Sequence, residues 1–363
     1  MRDAAVDPAE PSGAARRVAT RSDVARRAGV STAVVSYVVN NGPRPVAAAT
    51  RERVLAAMRD LDYRPNAVAR ALRMQRAHAV GLVVPDISNT YFGTLARVLS
   101  DRAFSAGYAM LLGDSHSDLE RERAQIESLV THRVDGLIVV SLEPGSTADV
   151  GTTPVVYLDQ RTSKGQASVV VDNADGARQA VHHLAEHARR RIGHLAGPEG
   201  APGTAARRSG WQEAALAAGL PADDDLVVHA PFSRDGGLVA GRELLQRSPR
   251  PDAVFVASDV QATGLLLAAR ELGIAVPDEL AVISFDGTEE TVFSDPPLTS
   301  VRQPVDRIVE TALAMVLGES PPDEARSIPV QLVVRRSCGC DQTTQRIPDD
   351  ATAGQAASSA ADG

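Results

Sequence analysis

The sequence predicts a small all-α helix-turn-helix head followed by a two-lobed α/β body built from two doubly wound parallel sheets. Three observations lead there. Residues 20–40 read as two short helices around a glycine turn. From His78 onward, apolar runs of strand length alternate with amphipathic stretches of helix length, the pattern of parallel strands joined by crossover helices. Charge changes sign at the same place: residues 16–76 hold thirteen Arg against Asp23, Glu52, Asp60 and Asp62, whereas residues 77–363 hold 24 basic and 39 acidic residues. A basic head on an acidic body is the electrostatic footprint of a nucleic-acid-binding module. At 363 residues and 44% hydrophobic content, the chain has room for two or three cores.

Residues 1–17 are rich in Ala, Pro and charge and predict a disordered tail. The head is expected over 18–63. Thr20 can cap the first helix, with Asp23 three positions on closing a capping box. Val24, Ala25 and Ala28 give that helix one apolar side, and Gly29 supplies the positive φ that ends it. Ser31 can cap the second helix, whose inner face is expected to be Val34, Val35, Val38 and Val39. That leaves Thr32, Ala33, Ser36, Tyr37 and Asn40 outward, small or polar groups suited to a major groove. A third helix is expected over Thr50–Leu61, with Val54, Leu55, Met58 and Leu61 on one face. Pro65 stops it and Asn66 can cap a short segment, Ala67–Arg73, too brief to be stable alone.

In the body, strands are expected at Ala79–Val84, Ala109–Leu112, Gly136–Val140, Val155–Leu158, Ser168–Val171, Arg191–Leu195, Ala253–Ala257 and Leu280–Phe285. Helices fall between them at Tyr91–Ser105, Leu119–Thr131, Ala174–Ala188, Thr204–Ala218, Gly236–Gln246 and Gln261–Leu272. So many units overfill one sheet, so two similar lobes are expected: 78–161 with 302–318, and 162–301 with 319–340. Ligands of such folds bind outside the carboxyl ends of the strands, here a cleft between lobes. Residues 341–363 are polar and low in complexity and predict a second disordered tail.

Other chemistries find little support. No glycine-rich phosphate loop, His-Glu-x-x-His pair or nucleophile elbow is present. Cys338 and Cys340 are two ligands without a His pair nearby in sequence, so free thiols and no metal site are expected. His182 and His183 read as a helix-surface pair. No apolar run reaches membrane-spanning length and the first residues lack a signal-peptide core, so a cytoplasmic protein without membrane partner or cofactor is expected.

Seven blocks in order carry a resemblance: DVARRAGVS–VVSYVVN, TRERVLAAMRDLDYRPNAVARALR, GLVVPDISNTYF, VDNADGARQAVHHLAEHARRRIGHLAGP, FVASD, ISFDGT and PPLTSVRQP. Over roughly Val18–Ser337 the chain resembles the LacI/GalR family of transcriptional regulators. The resemblance implies a nucleoid-associated homodimer on near-palindromic double-stranded operator DNA, and a periplasmic-binding-protein-like body that closes on a small effector. It places Thr32, Ala33 and Tyr37 at base-reading positions, with Thr20 and Ser31 at the helix starts and Ser36 and Asn40 on phosphates. It makes 64–77 a hinge, in which Asn66, Ala69 and Arg73 meet DNA and Leu72 is a minor-groove wedge. Three departures are visible: Val34 for a usual Thr, Tyr37 where an Arg is frequent, and Ala47 for a usual Ser cap.

For the effector, the resemblance points to Arg207 and Asp286 as polar anchors and Phe232 as a stacking platform. Asp86, Asn89, Tyr91, Phe92, Asp159, Ser258, Asp259 and Gln303 fall on further cleft positions, with Ser258 in place of a frequent Asn. An aromatic face flanked by Asp, Asn and Arg suits a sugar, and a sugar-responsive repressor is the expected function. A purine- or nucleoside-responsive regulator of the same family is the alternative, and a cytosolic solute-binding protein a more distant one.

Overall fold

The computed structural model describes residues 19–39, 45–63, 77–141, 149–160, 167–320 and 325–341. The expectations for both tails, Asn40, Asn66, Ala69, Leu72 and Arg73 lie outside these residues. The chain divides into two units, 1–77 and 78–363.

In the first unit, α1 (Arg21–Ala28), α2 (Thr32–Val39) and α3 (Ala48–Asp60) surround a core of Val24, Ala25, Ala28, Val35, Val38, Val54 and Ala57. The capping box forms: Asp23 N–H donates to Thr20 Oγ1 at 3.3 Å, and Thr20 N–H donates to Asp23 Oδ2 at 2.9 Å. Gly29 takes φ 66° and ends α1, and Val34 N–H donates to Ser31 Oγ at the start of α2. An Arg27–Asp60 ion pair at 2.9 Å ties α1 to α3. Two details differ from expectation. Ala57, not Leu55, completes the buried face of α3, because Leu55 sits one position off the 3.6-residue stripe and is 37% exposed. α3 also begins two residues earlier, at Ala48, and its N-cap Ala47 offers no side-chain hydrogen bond.

The second unit holds two six-stranded sheets. The first has the order β11-β5-β4-β3-β1-β2, all parallel, from β1 (Ala79–Val84), β2 (Ala109–Asp114), β3 (Gly136–Val140), β4 (Val155–Leu158), β5 (Ala167–Val171) and β11 (Ala325–Ile328). The second has the order β12-β10-β9-β8-β6-β7, from β6 (Ile192–Ala196), β7 (Val227–His229), β8 (Ala253–Val256), β9 (Ala281–Asp286), β10 (Thr299–Arg302) and β12 (Gln331–Val333). Among the described residues, only β10 and β12 pair antiparallel. The crossover helices are α4 (Thr90–Ser105), α5 (Leu119–Thr131), α6 (Asn173–Glu186), α7 (Pro202–Ala217), α8 (Arg234–Leu245), α9 (Asp259–Glu271) and α11 (Val305–Val316), with a single turn, α10 (Glu290–Phe293). Strands β1, β3, β5, β6, β8 and β9 are buried throughout, as central parallel strands must be.

The lobe boundaries move from the expected ones. β5 pairs with β4, so the chain leaves the first sheet after Val171 and not at 161. β11 pairs with β5, so Ala325–Ile328 belongs to the first sheet although 319–340 was expected in the second. Which sheet a strand joins is fixed by its pairing partner, and that is a long-range property.

α8 and α9 cross closely. A Cβ on Gly264 would stand 2.1 Å from the Arg234 carbonyl oxygen, and one on Gly237 2.0 Å from that of Gln261. Both positions need glycine for this approach. At the end of the second lobe, the turn Arg336–Cys338 and Gly339 (φ 100°) carry Cys338 and Cys340 back against α6. There the expectation of cysteines without a His pair fails. His182 is indeed exposed, but His183 turns inward and, with His187, faces both thiols.

Candidate functional site

In the second unit, strand ends and helix starts of both lobes bring a set of polar side chains together. Asp159 follows β4 and Asp286 ends β9, and both hold positive φ, 61° and 112°. The first lies in the left-handed region that Asp tolerates. The second is outside it and costs about 1–3 kcal/mol, a pattern found where function holds the backbone in place. Gly287 (φ 72°) follows at once; a Cβ there would stand 2.6 Å from Arg302 Cα, so the turn presenting Asp286 needs glycine.

Two chains of hydrogen bonds organise the polar side chains. In one, Tyr91 Oη donates to Gln303 Oε1 at 3.0 Å and Gln303 Nε2 donates to Asp286 Oδ1 at 2.9 Å. It runs from α4 on the first lobe to β9 on the second. In the other, Arg207 Nε donates to Asn173 Oδ1 at 2.8 Å and Asn173 Nδ2 donates to Asp159 Oδ1 at 3.0 Å. Arg207 Nη1 also donates to the Ala257 carbonyl at 2.5 Å, and its guanidinium lies 3.8 Å over the Phe285 ring. Gly203 leaves room for the Asp159 carboxylate, since a Cβ there would stand 3.0 Å from Asp159 Oδ2. At the rim, Thr90 Oγ1 donates to Glu290 Oε2 at 3.2 Å, and Arg234 pairs with the same carboxylate.

Burial drives the electrostatics. It pushes the Asp286 carboxyl well above its ordinary range, with the Asp259 charge acting the same way and Arg207 and Gln303 opposing. The Tyr91 phenol is also raised by burial, then by the charges of Asp159 and Asp286, while Arg207 lowers it. Arg207 thus opposes both of these upward shifts. The resulting array offers a cation, carboxyl groups, an amide and a phenol, which can meet a ligand carrying several hydroxyls or ring nitrogens.

Of the residues expected in the cleft, the structure brings Tyr91, Asp159, Arg207, Asp286 and Gln303 together. The others have visible structural duties. Asn89 is buried as the N-cap of α4, accepting from Tyr91 N–H at 3.0 Å, and Asp86 accepts from Ser88 N–H in the preceding turn. Phe92 packs into the hydrophobic core, edge-on to Tyr91. Ser258 caps α9 and bonds Gln261. Asp259 is 1% exposed, and both its oxygens are engaged: Oδ1 accepts from Ser284 and Ser300, Oδ2 from the Thr288 amide and hydroxyl. Phe232 is half-buried, with its ring against Gly197 near Thr204.

Asn173 was missed by the sequence reading. It sits in the VDN segment, where it reads as a helix-start residue, yet its amide joins Asp159 to Arg207. Glu290 was missed too; nothing local distinguishes it from a solvated acid.

On the head, Thr32 and Ala33 are exposed at the start of α2, while Ser36 and Tyr37 are partly so. They form one polar face opposite Val35 and Val38. A helix-turn-helix and a two-lobed body with a polar cleft, on one chain, define a ligand-responsive DNA-binding regulator.

Comparison with known proteins agrees. Residues 20–66 match the family described as "Bacterial regulatory proteins, lacI family", and residues 181–338 match "Periplasmic binding protein-like domain". The "HTH-type transcriptional repressor PurR" of Yersinia pestis (strain Pestoides F) is 35% identical over 331 residues, covering 88% of this chain and 97% of that protein. Among solved structures, a lac repressor dimer bound to operator and the anti-inducer ONPF superposes with TM-score 0.80 at 27% identity, covering 89% of this chain and 99% of that one. A complex of the transcriptional regulator CelR with cellobiose gives TM-score 0.65 at 32% identity, covering 88% and 99%. The chain belongs to the lacI family of bacterial regulatory proteins and is a DNA-binding transcriptional regulator. No helix among the described residues is long and apolar enough to cross a membrane.

Proposed function

We propose that the protein is a cytoplasmic, nucleoid-associated repressor that binds near-palindromic operator DNA as a homodimer and releases it when a sugar enters the interlobe cleft. The carrying observation is the polar relay from Tyr91 on one lobe through Gln303 to Asp286 on the other, beside Arg207, Asn173 and Asp159. A ligand with several hydroxyls can exchange with these bonds and bias how the lobes meet, with the Phe232 ring as its stacking face. Thr32, Ala33 and Tyr37 read bases, Ser36 and Asn40 grip phosphates, and Leu72, flanked by Asn66, Ala69 and Arg73, enters the minor groove. A tens-fold loss of operator affinity requires about 2–3 kcal/mol of coupling between effector and DNA. The dimer follows the lac repressor dimer, and the sugar follows the cellobiose complex of CelR.

A second reading, a purine effector, is favoured by the 35% identity to PurR. Calorimetric titration with a panel of mono- and disaccharides and a panel of purine bases separates the two. Saturable heat with a sugar, absent with purines, together with weaker operator binding in its presence, is expected. Saturation by a purine alone, or tighter operator binding with ligand, overturns the sugar-induced release.

A further inference from the structure

The cluster at the end of the second lobe has no part in the cleft. His183 lies in the last turn of α6 and His187, four residues on, is its C-cap, and their ring centroids are 4.6 Å apart. Gly339, at φ 100°, reverses the chain between Cys338 and Cys340 so that both sulfurs return to that face. Cys340 Sγ lies 3.2 Å from His187 Nε2 and 3.6 Å from His183 Nε2, and Cys338 Sγ lies 3.3 Å from His183 Nε2. The donor atoms of His183, His187 and Cys340 all fall within 4.8 Å of one another.

These separations match the edges of a coordination polyhedron. With Zn–N bonds near 2.05 Å and Zn–S bonds near 2.3 Å, a tetrahedral site has N···S edges of about 3.5 Å. A hydrogen-bonding account is poorer. One imidazole Nε2 carries a single lone pair or a single proton, yet that of His183 stands against two sulfurs. A cation centred among His183, His187 and Cys340 satisfies these three donors together. Cys338 stands beside this group, accepting from Thr299 Oγ1 at 3.1 Å and donating its own thiol to the Arg335 carbonyl at 3.3 Å. Arg189, the nearest cation to Gly339, is held by the carbonyls of Asp252, Pro277 and Asp278.

We propose that His183, His187 and Cys340 bind one divalent d-block cation of the zinc type. The ion clips the segment 336–340 onto α6. Mixed imidazole and thiolate donors select such an ion over calcium or magnesium.

The test uses the full chain without a histidine tag, reduced, stripped with chelator and titrated with Co²⁺. One equivalent is expected to give the visible bands of tetrahedral cobalt and a near-ultraviolet thiolate-to-cobalt charge-transfer band, both erased by Zn²⁺, and Zn²⁺ is expected to raise the melting temperature. Cys340→Ser and His187→Gln, checked for folding by circular dichroism, are expected to weaken Co²⁺ binding at least ten-fold. Saturating Co²⁺ without a charge-transfer band in the wild-type chain overturns the site, as does equal binding by wild type and both variants. A Cys338–Cys340 disulfide forming in air as fast with Zn²⁺ as without it also overturns the proposal.

Discussion

Replacing Arg207 with Met tests the cleft most directly, because this side chain combines a structural and a recognition duty. It is 3% exposed. The substitution keeps an apolar stem but leaves Asn173 Oδ1 and the Ala257 carbonyl without their donor. Each orphaned buried acceptor costs about 1–3 kcal/mol, and loss of the guanidinium over Phe285 adds about 1 kcal/mol. The Asp286 carboxyl, already raised by burial, limits the damage by taking a proton once its opposing cation is gone. The net expectation is a loss of about 3–5 kcal/mol, a large share of the roughly 5–15 kcal/mol that holds a domain together. Urea denaturation followed by circular dichroism reads the change as a lower midpoint at unchanged slope. At low temperature, where the variant is folded, operator binding should persist and the effector response should vanish. A wild-type midpoint together with a normal effector titration would refute both the buried bonding and the assignment of Arg207 to the cleft.

Three further expectations follow from other parts of the molecule. His194 is sandwiched between Trp211 and Phe255, and burial depresses its pKa to about 3. The unfolded chain therefore takes up this proton first as pH falls below about 6.5, and the contribution is lost towards pH 3, amounting to about 2 kcal/mol by pH 5. The stability difference between wild type and His194→Phe should shift by that amount between pH 7 and pH 5; no shift would mean the imidazole is not buried neutral. At Asp259, Asn can keep one oxygen on Thr288 and let the Ser284 and Ser300 hydroxyls turn to donate elsewhere or accept, whereas Ala leaves all four donors orphaned. Denaturation should show a loss of about 1–2 kcal/mol for Asp259→Asn and at least about 4 kcal/mol for Asp259→Ala; equal losses would contradict the bonding. Operator affinity should fall steeply on a log–log salt plot through counterion release, and Leu72→Ala should weaken it by about 2–3 kcal/mol without changing effector affinity. A flat salt plot, or an unchanged footprint for Leu72→Ala, would count against the basic head and the wedge respectively.

The sequence made the central strands and the head legible because their physics is local. β1, β3 and β4 coincide with their expected limits, as uninterrupted apolar runs buried on both faces should. β7, β10, β11 and β12 escaped notice: they are three or four residues long, and TSVR or ARSI become strands only by pairing with a neighbour. The same non-locality hid the lobe boundary beyond β5 and the meeting of α6 with Cys338 and Cys340. In the cleft, Asp286 and Gln303 stood out because each lies in a distinctive block, ISFDGT and PPLTSVRQP. Asn173 looked like a helix start, whereas Ser258 and Asp259, which looked like ligand groups, serve the fold around α9.

In the effector site proposed above, the self-satisfied wiring sets the terms of binding. Tyr91, Gln303 and Asp286 are already bonded to one another, as are Arg207, Asn173 and Asp159. Entry of a ligand is therefore an exchange of partners, and each bond formed replaces one broken. Under exchange, affinity rests on shape and excluded water, while polar groups act as a veto. A compound lacking one required hydroxyl strands a buried protein group and is rejected by about 1–3 kcal/mol for each such group. A cleft of this kind discriminates sharply between close chemical relatives even when its affinity for the right one is modest.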